Sequence, residues 1–370
     1  MRILSKYFQI ARAVFHTHTP NYVIFFVTSK CNSRCKMCFN WKNIQHSEER
    51  EELTLAEIEK ISKNFRPLME LNLSGGEPFL RDDLVEILQL FYKNSDTRLF
   101  TIPTNSSCPD RIIEFTRKMV SLMPAGWFRI TLSLSHLDEK NDEIRGRAGS
   151  FQETIETSKR LHELKKRFPH LSTGCSTVLT KFNKDDIYDI FDYIDLNVPC
   201  DSYGFLNVRG DSMDKDASDV APEDSRRLVQ YLTKKRQGKF KNSSFYSKLF
   251  SAVGVVIENN VLKTILEDKA VVPCLAGKRM VVISDTGDVM PCELMDGVIP
   301  ENSGMNPVFG NLRDYDYDIK KLLELPNTKK VLQYIKNSRC HCSFECAMAV
   351  STVFNPRWYP KIIKTIFKNF

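Results

Sequence analysis

The sequence predicts an α/β fold: a partial (β/α)6 barrel followed by a small cysteine-rich domain. Three observations carry this. Apolar runs alternate with amphipathic helical stretches from residue 22 to about 237. Six such strand–helix units follow one another, which implies a parallel sheet with helices outside. From about residue 240 the alternation stops, and a hairpin and short helices carry five of the cysteines. Right-handed crossovers allow the parallel sheet to curl, and 370 residues suffice for one large domain and a smaller one.

The units can be justified in order. "YVIFFVT" (22–28) is a continuous apolar run and reads as a buried strand. "TLAEIEKISKNF" (54–65) reads as a helix capped by Thr54, with Glu57 three residues on. "MELNLSGG" (69–76) is a strand entering a glycine turn, followed by helix "RDDLVEILQLFYKN" and strand "TRLFTIPTN". Helix "PDRIIEFTRKMVSL", strand "WFRITLSLS" and helix "SFQETIETSKRLHELKKRF" come next. Strand "LSTGCSTVLT", helix "KDDIYDIFDYI", strand "DSYGFLNVRG" and helix "PEDSRRLVQYLTKKR" complete the set. A linker helix leads to "RMVVISDTGDVMPCEL" (279–294), a hairpin turning at Asp285–Asp288, and then to "RCHCSFECAM". The organisation is thus a basic amphipathic helix over 1–20, the barrel over 21–240, a linker helix and cysteine-rich domain over 241–350, and a second basic amphipathic helix over 351–370. In such barrels chemistry gathers at the C-terminal ends of the strands. Cys31, Gly75, Gly76, Thr104, Asn105, Ser133, Ser135 and Arg209 fall there.

A hydrophobic content of 42% and a charged content of 27% are those of an ordinary globular chain. No run approaches the roughly 18–20 apolar residues of a membrane span. With no signal-peptide core, a cytoplasmic location is expected. Eleven cysteines in a reducing compartment favour metal or redox chemistry over disulfides. Eight lie in two groups, 31/35/38 and 274/292/340/342/346; Cys108, Cys175 and Cys200 read as small buried hydrophobes. The net charge of +7 sits in the ends: Arg2, Lys6 and Arg12, then Arg357, Lys361, Lys364 and Lys368, with no acid in either twenty-residue stretch. A neutral body argues against nucleic acid as a partner.

The first group has the spacing C-x3-C-x2-C in the loop after the first strand: Cys31, Cys35, Cys38. Structural zinc takes four ligands, commonly as paired C-x2-C knuckles. Three thiols without a local fourth suit a 4Fe–4S cluster with one iron left open.

These residues, followed by "SGGEP" (74–78) after strand two, resemble the radical S-adenosylmethionine (SAM) superfamily, over residues 22 to about 210. The resemblance implies a partial TIM-like radical SAM barrel. It implies that the open iron chelates the amino and carboxylate groups of SAM. Gly75, Gly76, Glu77 and Pro78 look like the family's turn, with bare glycine backbone and the Glu77 carboxylate taking the methionine ammonium. Thr104 and Asn105 sit where the family has polar residues near SAM. Ser133 and Ser135 match the strand-four motif contacting the SAM carboxylate and ribose. Within "DEIRGRAGSF" (142–151), Arg145 is the guanidinium expected to pair with the carboxylate, since its fork fits bidentately. Two positions depart from the pattern. Met37 replaces an aromatic residue near the adenine, and Ser135-His136 replaces the usual Asp-Gly, with His136 read as a surface histidine. The implied chemistry is one-electron cleavage of SAM to a 5′-deoxyadenosyl radical, which abstracts hydrogen from an unactivated C–H. It requires a reducing partner such as flavodoxin or ferredoxin.

The second group resembles the auxiliary-cluster extension of the SPASM and shorter "twitch" subfamilies. Cys274 and Cys292 frame the hairpin as C-x12-G-x4-C, "FGNLRD" (309–314) lies between the halves, and Cys340, Cys342 and Cys346 follow. Five cysteines imply one auxiliary 4Fe–4S cluster. Which of the last three complete it stays open, and C-x-C-x3-C with His341 also suits zinc. Glu293 occupies a position where relatives place an acid proposed as a catalytic base, taking the proton lost on oxidation.

Residues 3, 4, 7, 8, 11, 14 and 15 form one apolar helical face, and 358, 359, 362, 363, 366, 367 and 370 another. Basic aromatic helices of this kind lie in a membrane interface; packing on the barrel or on another subunit is the competing expectation. Only about twenty residues precede the first strand, too few for a peptide-recognition domain. The expected substrate is therefore a sugar or cyclitol, a lipid or a lipid-linked molecule. The alternatives are peptide maturation with a separate recognition partner, or a non-catalytic electron carrier or zinc-stabilised scaffold.

Overall fold

The computed structural model describes residues 19–236 and 245–369. The apolar face expected over residues 3–15 lies outside the described residues. The first strand is β1 (Tyr22–Thr28), buried at every position because it is apolar throughout and covered on both faces. A short helix α1 (Trp41–Gln45) follows, then α2 (Leu55–Lys63), β2 (Glu70–Gly75), α3 (Leu84–Asn94), β3 (Leu99–Thr104) and α4 (Pro109–Leu122). Strand β4 (Trp127–Ser133), helices α5 (Asp138–Arg145) and α6 (Ser150–Arg167), strand β5 (Leu171–Leu179), helix α7 (Ile187–Asn197), strand β6 (Ser202–Asn207) and helix α8 (Pro222–Arg236) complete the barrel region. Thr54 caps α2 through its side chain, and Glu57 returns the bond, as the sequence predicts. Helix α5 carries Arg145 in its last turn and adds to the elements read from the sequence.

The strands form one sheet in the order β6-β5-β4-β3-β2-β1, all parallel. One face is apolar. Leu71, Leu73, Phe100, Ile102, Phe128, Ile130 and Leu132 are buried against Ile87, Leu88, Ile112 and Met119 of the helices. Phe100 and Phe128 stack at 5.0 Å within that layer. The other face carries half-buried polar side chains, including Asn72, Ser74, Thr101, Thr131, Ser133 and Ser176. Gly174 interrupts this face because a Cβ there would stand 3.2 Å from Arg129 Nη2.

The chain continues through α9 (Phe245–Glu267), β7 (Met280–Ile283), β8 (Asp288–Met290), β9 (Gly310–Asn311), α10 (Ile319–Glu324), α11 (Pro326–Asn337), α12 (Glu345–Val353) and α13 (Tyr359–Asn369). The hairpin is not a separate sheet. Strand β7 pairs parallel to β1, and β8 and β9 extend the same sheet in antiparallel fashion. Ion pairs reinforce the join: Arg50 holds Asp285, and Arg313 of "FGNLRD" holds Glu57 at 2.7 Å. That guanidinium pulls the Glu57 carboxyl down to about 2. The N-terminal turn of α12 touches both the last and the first strand of the barrel. Glu345 Oε1 accepts from the Asn207 amide beside β6, and Cys346 contacts the Tyr22 hydroxyl on β1.

Candidate active site and second cysteine cluster

The loop after β1 is held by backbone contacts to distant segments. Arg34 N–H donates to Arg145 C=O at 3.1 Å, and Lys36 N–H to Ile144 C=O at 2.9 Å, which straps the loop to the end of α5. Gly146 follows with φ +61°, and a Cβ there would stand 2.5 Å from Arg34 O. On the other side, Met213 N–H donates to Cys38 C=O and Asp214 N–H to Lys36 C=O. Cys31, Cys35 and Cys38 are half-buried and free. Burial pushes the Cys31 thiol up to about 11 and the Cys38 thiol up to about 12, while Arg145 pulls both down by less. Each of the two also feels the Cys35 thiol.

The glycine turn closes onto this loop. Gly76 N–H donates to Thr28 C=O and Glu77 N–H to Lys30 C=O, both at 2.8 Å. A Cβ on Gly75 would lie 2.2 Å from Thr28 O, and one on Gly76 2.1 Å from Lys30 O. Bare backbone is therefore required here by chain packing, whatever the turn also binds. Pro78 is buried at the start of a 3-10 turn. The Glu77 carboxylate, expected to face an ammonium group, is bound within the chain at three points. It accepts from Phe79 N–H (3.1 Å), Thr104 Oγ1–H (2.9 Å) and Asn105 N–H (2.6 Å). Burial still raises it to about 7. These bonds hold the end of β3 in place. Asn105 Nδ2 then reaches Asn32 Oδ1 (2.8 Å), Ser33 Oγ (3.1 Å) and Cys31 Sγ (3.7 Å).

Ser133 ends β4 half-buried, and Ser135 lies buried two residues on. Sequence reasoning missed the two asparagines that fix this turn. Asn141 Oδ1 accepts from Ser135 N–H and His136 N–H, and Asn183 Nδ2 donates to Ser135 C=O at 2.8 Å. Asp142 was missed as well; it caps α6 by accepting from Gly149 N–H, Ser150 Oγ–H and Phe151 N–H. His136 is not on the surface. It is 4% exposed, its Nδ1 accepts from Leu137 N–H, and its Nε2 faces Asp186 at 3.0 Å. A histidine so placed anchors α7 rather than a substrate. Met37 is buried against Ile144 and Ala217.

Arg145 is the group most in need of a partner. Its side chain is 7% exposed, its Nε has no hydrogen-bond partner, and its charge acts on Cys31, Cys38 and Glu77. A buried, incompletely paired guanidinium acting on Cys31 and Cys38 fits an incoming carboxylate.

Four cysteines of the second group act on one another. Cys274 donates to Cys340, Cys292 lies within electrostatic reach of Cys274 and Cys342, and Cys340 of Cys342 and Cys292. Cys342 also feels Cys274, so every pair among these four interacts. Burial raises Cys292, raises Cys342 to about 11, and with the Cys340 contact raises Cys274; Cys340 is lowered by that hydrogen bond. Burial raises Cys346 to about 12, with Glu293 and Glu345 adding to the rise and Arg209 and the Tyr22 hydroxyl opposing it. His341 is exposed and turned to Asp268 at 3.3 Å. Among the described residues no three His, Cys, Asp or Glu side chains close around a single metal ion. Glu293 is 3% exposed at its side chain and faces Arg209 Nη2 at 3.1 Å.

Residues 25–194 match the model of the radical SAM superfamily. The chain is 32% identical over 169 residues to a GTP 3′,8-cyclase of Aquifex aeolicus (strain VF5), covering 44% of this chain and 49% of that protein. It is 26% identical over 241 residues to the Fe-coproporphyrin III synthase of Methanosarcina barkeri, covering 64% of this chain and 55% of that protein. The chain thus spans about half the length of these curated relatives. Among solved structures, anSMEcpe with bound AdoMet and the Cp18Cys peptide matches with a TM-score of 0.59 at 18% identity, covering 95% and 96% of the two chains. Streptococcus suis SuiB bound to S-adenosylmethionine matches with a TM-score of 0.59 at 18% identity, covering 86% and 68%. These two likenesses show the shared fold.

Proposed function

The chain carries a radical SAM domain over residues 25–194, and from that premise we propose that it is an enzyme binding SAM and a 4Fe–4S cluster to activate a C–H bond of a polar substrate. When bound, that pair supplies one-electron cleavage of SAM and a 5′-deoxyadenosyl radical. The observation that carries the reading is Arg145, buried with an unpaired Nε beside Cys31 and Cys38. The three cysteines would hold the cluster. Arg145 would take the SAM carboxylate, and the Gly75–Pro78 turn, Thr104, Asn105, Ser133 and Ser135 would shape the rest of the cradle. Cys274, Cys292, Cys340 and Cys342, each of which acts on the other three, would hold an auxiliary 4Fe–4S cluster. Glu293 would take a proton only by yielding its place on Arg209.

The sheet face turned away from the helices favours a hydrogen-bonding substrate. Ser74, Thr131, Ser133 and Ser176 are half-buried there, which suits a sugar or cyclitol, the polar head of a lipid-linked molecule, or a peptide, and not an acyl chain. A one-electron donor such as flavodoxin or ferredoxin is required.

Anaerobic purification, an iron and sulfide count, and assay for 5′-deoxyadenosine after adding dithionite and SAM test this. About eight irons with 5′-deoxyadenosine formed supports both clusters. Absence of iron even after reconstitution overturns the reading, electron carrier included.

A second reading concerns the C-terminal helix. Trp358, Ile362 and Ile366 pack on Ala252 and Val256 of α9, while Tyr359 and Ile363 stay 41% and 53% exposed. Arg357, Lys361 and Lys364 lie around that exposed pair with no acid in the segment. This favours peripheral contact with an anionic surface, such as the inner face of a membrane. Among the described residues no helix is long and apolar enough to cross a membrane.

A further inference from the structure

Arg209 follows β6, and its side chain lies where three segments meet. Its guanidinium carbon is 5.0 Å from the Phe39 ring centroid and 4.7 Å from that of Phe344. Its Nη2 is 3.1 Å from Glu293 Oε2 and its Nη1 3.3 Å from Glu345 Oε2. Phe39 follows Cys38, Glu293 follows Cys292, and Phe344 and Glu345 lie between Cys342 and Cys346. One cation therefore touches a residue beside a cysteine of both clusters. Gly210 tightens the joint, since a Cβ there would stand 3.3 Å from both Phe39 and Leu294.

Holding a joint together does not require charge. Buried ion pairs lose much of their attraction to desolvation, and apolar side chains of similar volume would pack the same gap at no net cost. Charge does control an iron–sulfur couple, whose potential responds to net charge and burial around it. Arginine keeps its proton at every working pH, so its influence is constant.

We propose that Arg209 is a positioning residue that sets the reduction potential of the second cluster, its positive charge, held on Glu293 next to Cys292 and on Glu345, stabilising the added electron. The inference rests on the reading that Cys274, Cys292, Cys340 and Cys342 hold a 4Fe–4S cluster. The couple concerned is gain of one electron by the oxidised cluster, with no bond made or broken.

The test compares full-length wild type, Arg209→Lys, Arg209→Met and Arg209→Gln, reconstituted without oxygen. Iron is counted first, and midpoint potentials are then read by EPR-monitored titration. The second cluster is identified as the signal that SAM leaves unchanged. The expected result is a more negative midpoint for Met and Gln, with Lys close to wild type and the first cluster shifted less. Should the Met variant fail to load, the Gln variant decides. Full iron with an unmoved midpoint in a charge-removing variant overturns the proposal, and so does a Lys variant that shifts as far as Met. About four irons in the wild type would instead show that the reading of a second cluster is at fault, and the inference would fall with it.

Discussion

A Cβ on Gly76 would stand 2.1 Å from the carbonyl oxygen of Lys30. The turn after β2 and the first cysteine loop are thus in backbone contact, and the position of one fixes the other. Gly76→Ala is expected to destabilise the chain by on the order of 3 kcal/mol or more, since neither backbone can yield. Denaturant melts give the magnitude. A drop in iron retained by the Cys31 loop should accompany it.

Arg145→Met should separate cofactor binding from cluster assembly. The variant keeps the volume near Cys31 and Cys38 but removes the charge. Iron at the first cluster should be unchanged, while SAM affinity measured by equilibrium dialysis falls about tenfold to hundredfold, the worth of a charged hydrogen bond. Unchanged affinity would remove Arg145 from the site.

Cysteine replacement distinguishes the four from the one. Cys342→Ala should lower the iron content from about eight to about four per chain, and Cys346→Ala should leave it near eight. The reverse pattern would assign Cys346 to the cluster in place of Cys342.

Two buried carboxyls make the stability of the cluster-free protein depend on pH. Burial raises Glu77 and Glu345 to about 7, above the roughly 4.3 of an unfolded glutamate. The folded state therefore binds more protons between these values. The stability this contributes is full below about 4.3 and is lost as pH rises through about 7. Urea melts of the apo protein should show falling stability from pH 5 to pH 7.5, and Glu77→Gln should flatten part of the slope. That variant should also be less stable overall, because its amide cannot accept all three hydrogen bonds now made to Glu77.

The C-terminal helix makes a separate prediction. The protein should sediment with vesicles of phosphatidylcholine and phosphatidylglycerol, and less with phosphatidylcholine alone. Ile363→Glu should abolish the binding, and roughly 0.5 M salt should weaken it. Equal binding to both vesicle types would remove the electrostatic argument.

What the sequence made legible was local. The strand β1, the capping box at Thr54 and Glu57, and the helices at 109–122 and 222–236 follow from periodicity and end signals. The first cysteine loop was legible because its spacing lies within eight residues. What depends on distant segments was not. His136 reads as a loop residue until Asp186 is seen beside it. That Glu77 also braces the end of β3 shows only once Thr104 and Asn105 are found donating to it. Spacing alone could not say which of Cys340, Cys342 and Cys346 join Cys274 and Cys292. Arg209 was legible only as a residue at a strand end. Its partners come from residues 39, 293, 344 and 345, and no local pattern joins them.

Strand β1 has β2 on one side and β7 on the other, and β7 is made long after it. A ribosome finishing α8 has released a chain whose most apolar strand still displays a row of unmatched amides and carbonyls. Until Met280–Ile283 emerge, that row is a template for any passing extended segment. A truncation that keeps only the first cysteine loop and its barrel would stay in this state permanently. Dissecting the enzyme by cutting it at the break in its sequence pattern would therefore be expected to yield aggregates, not a working half.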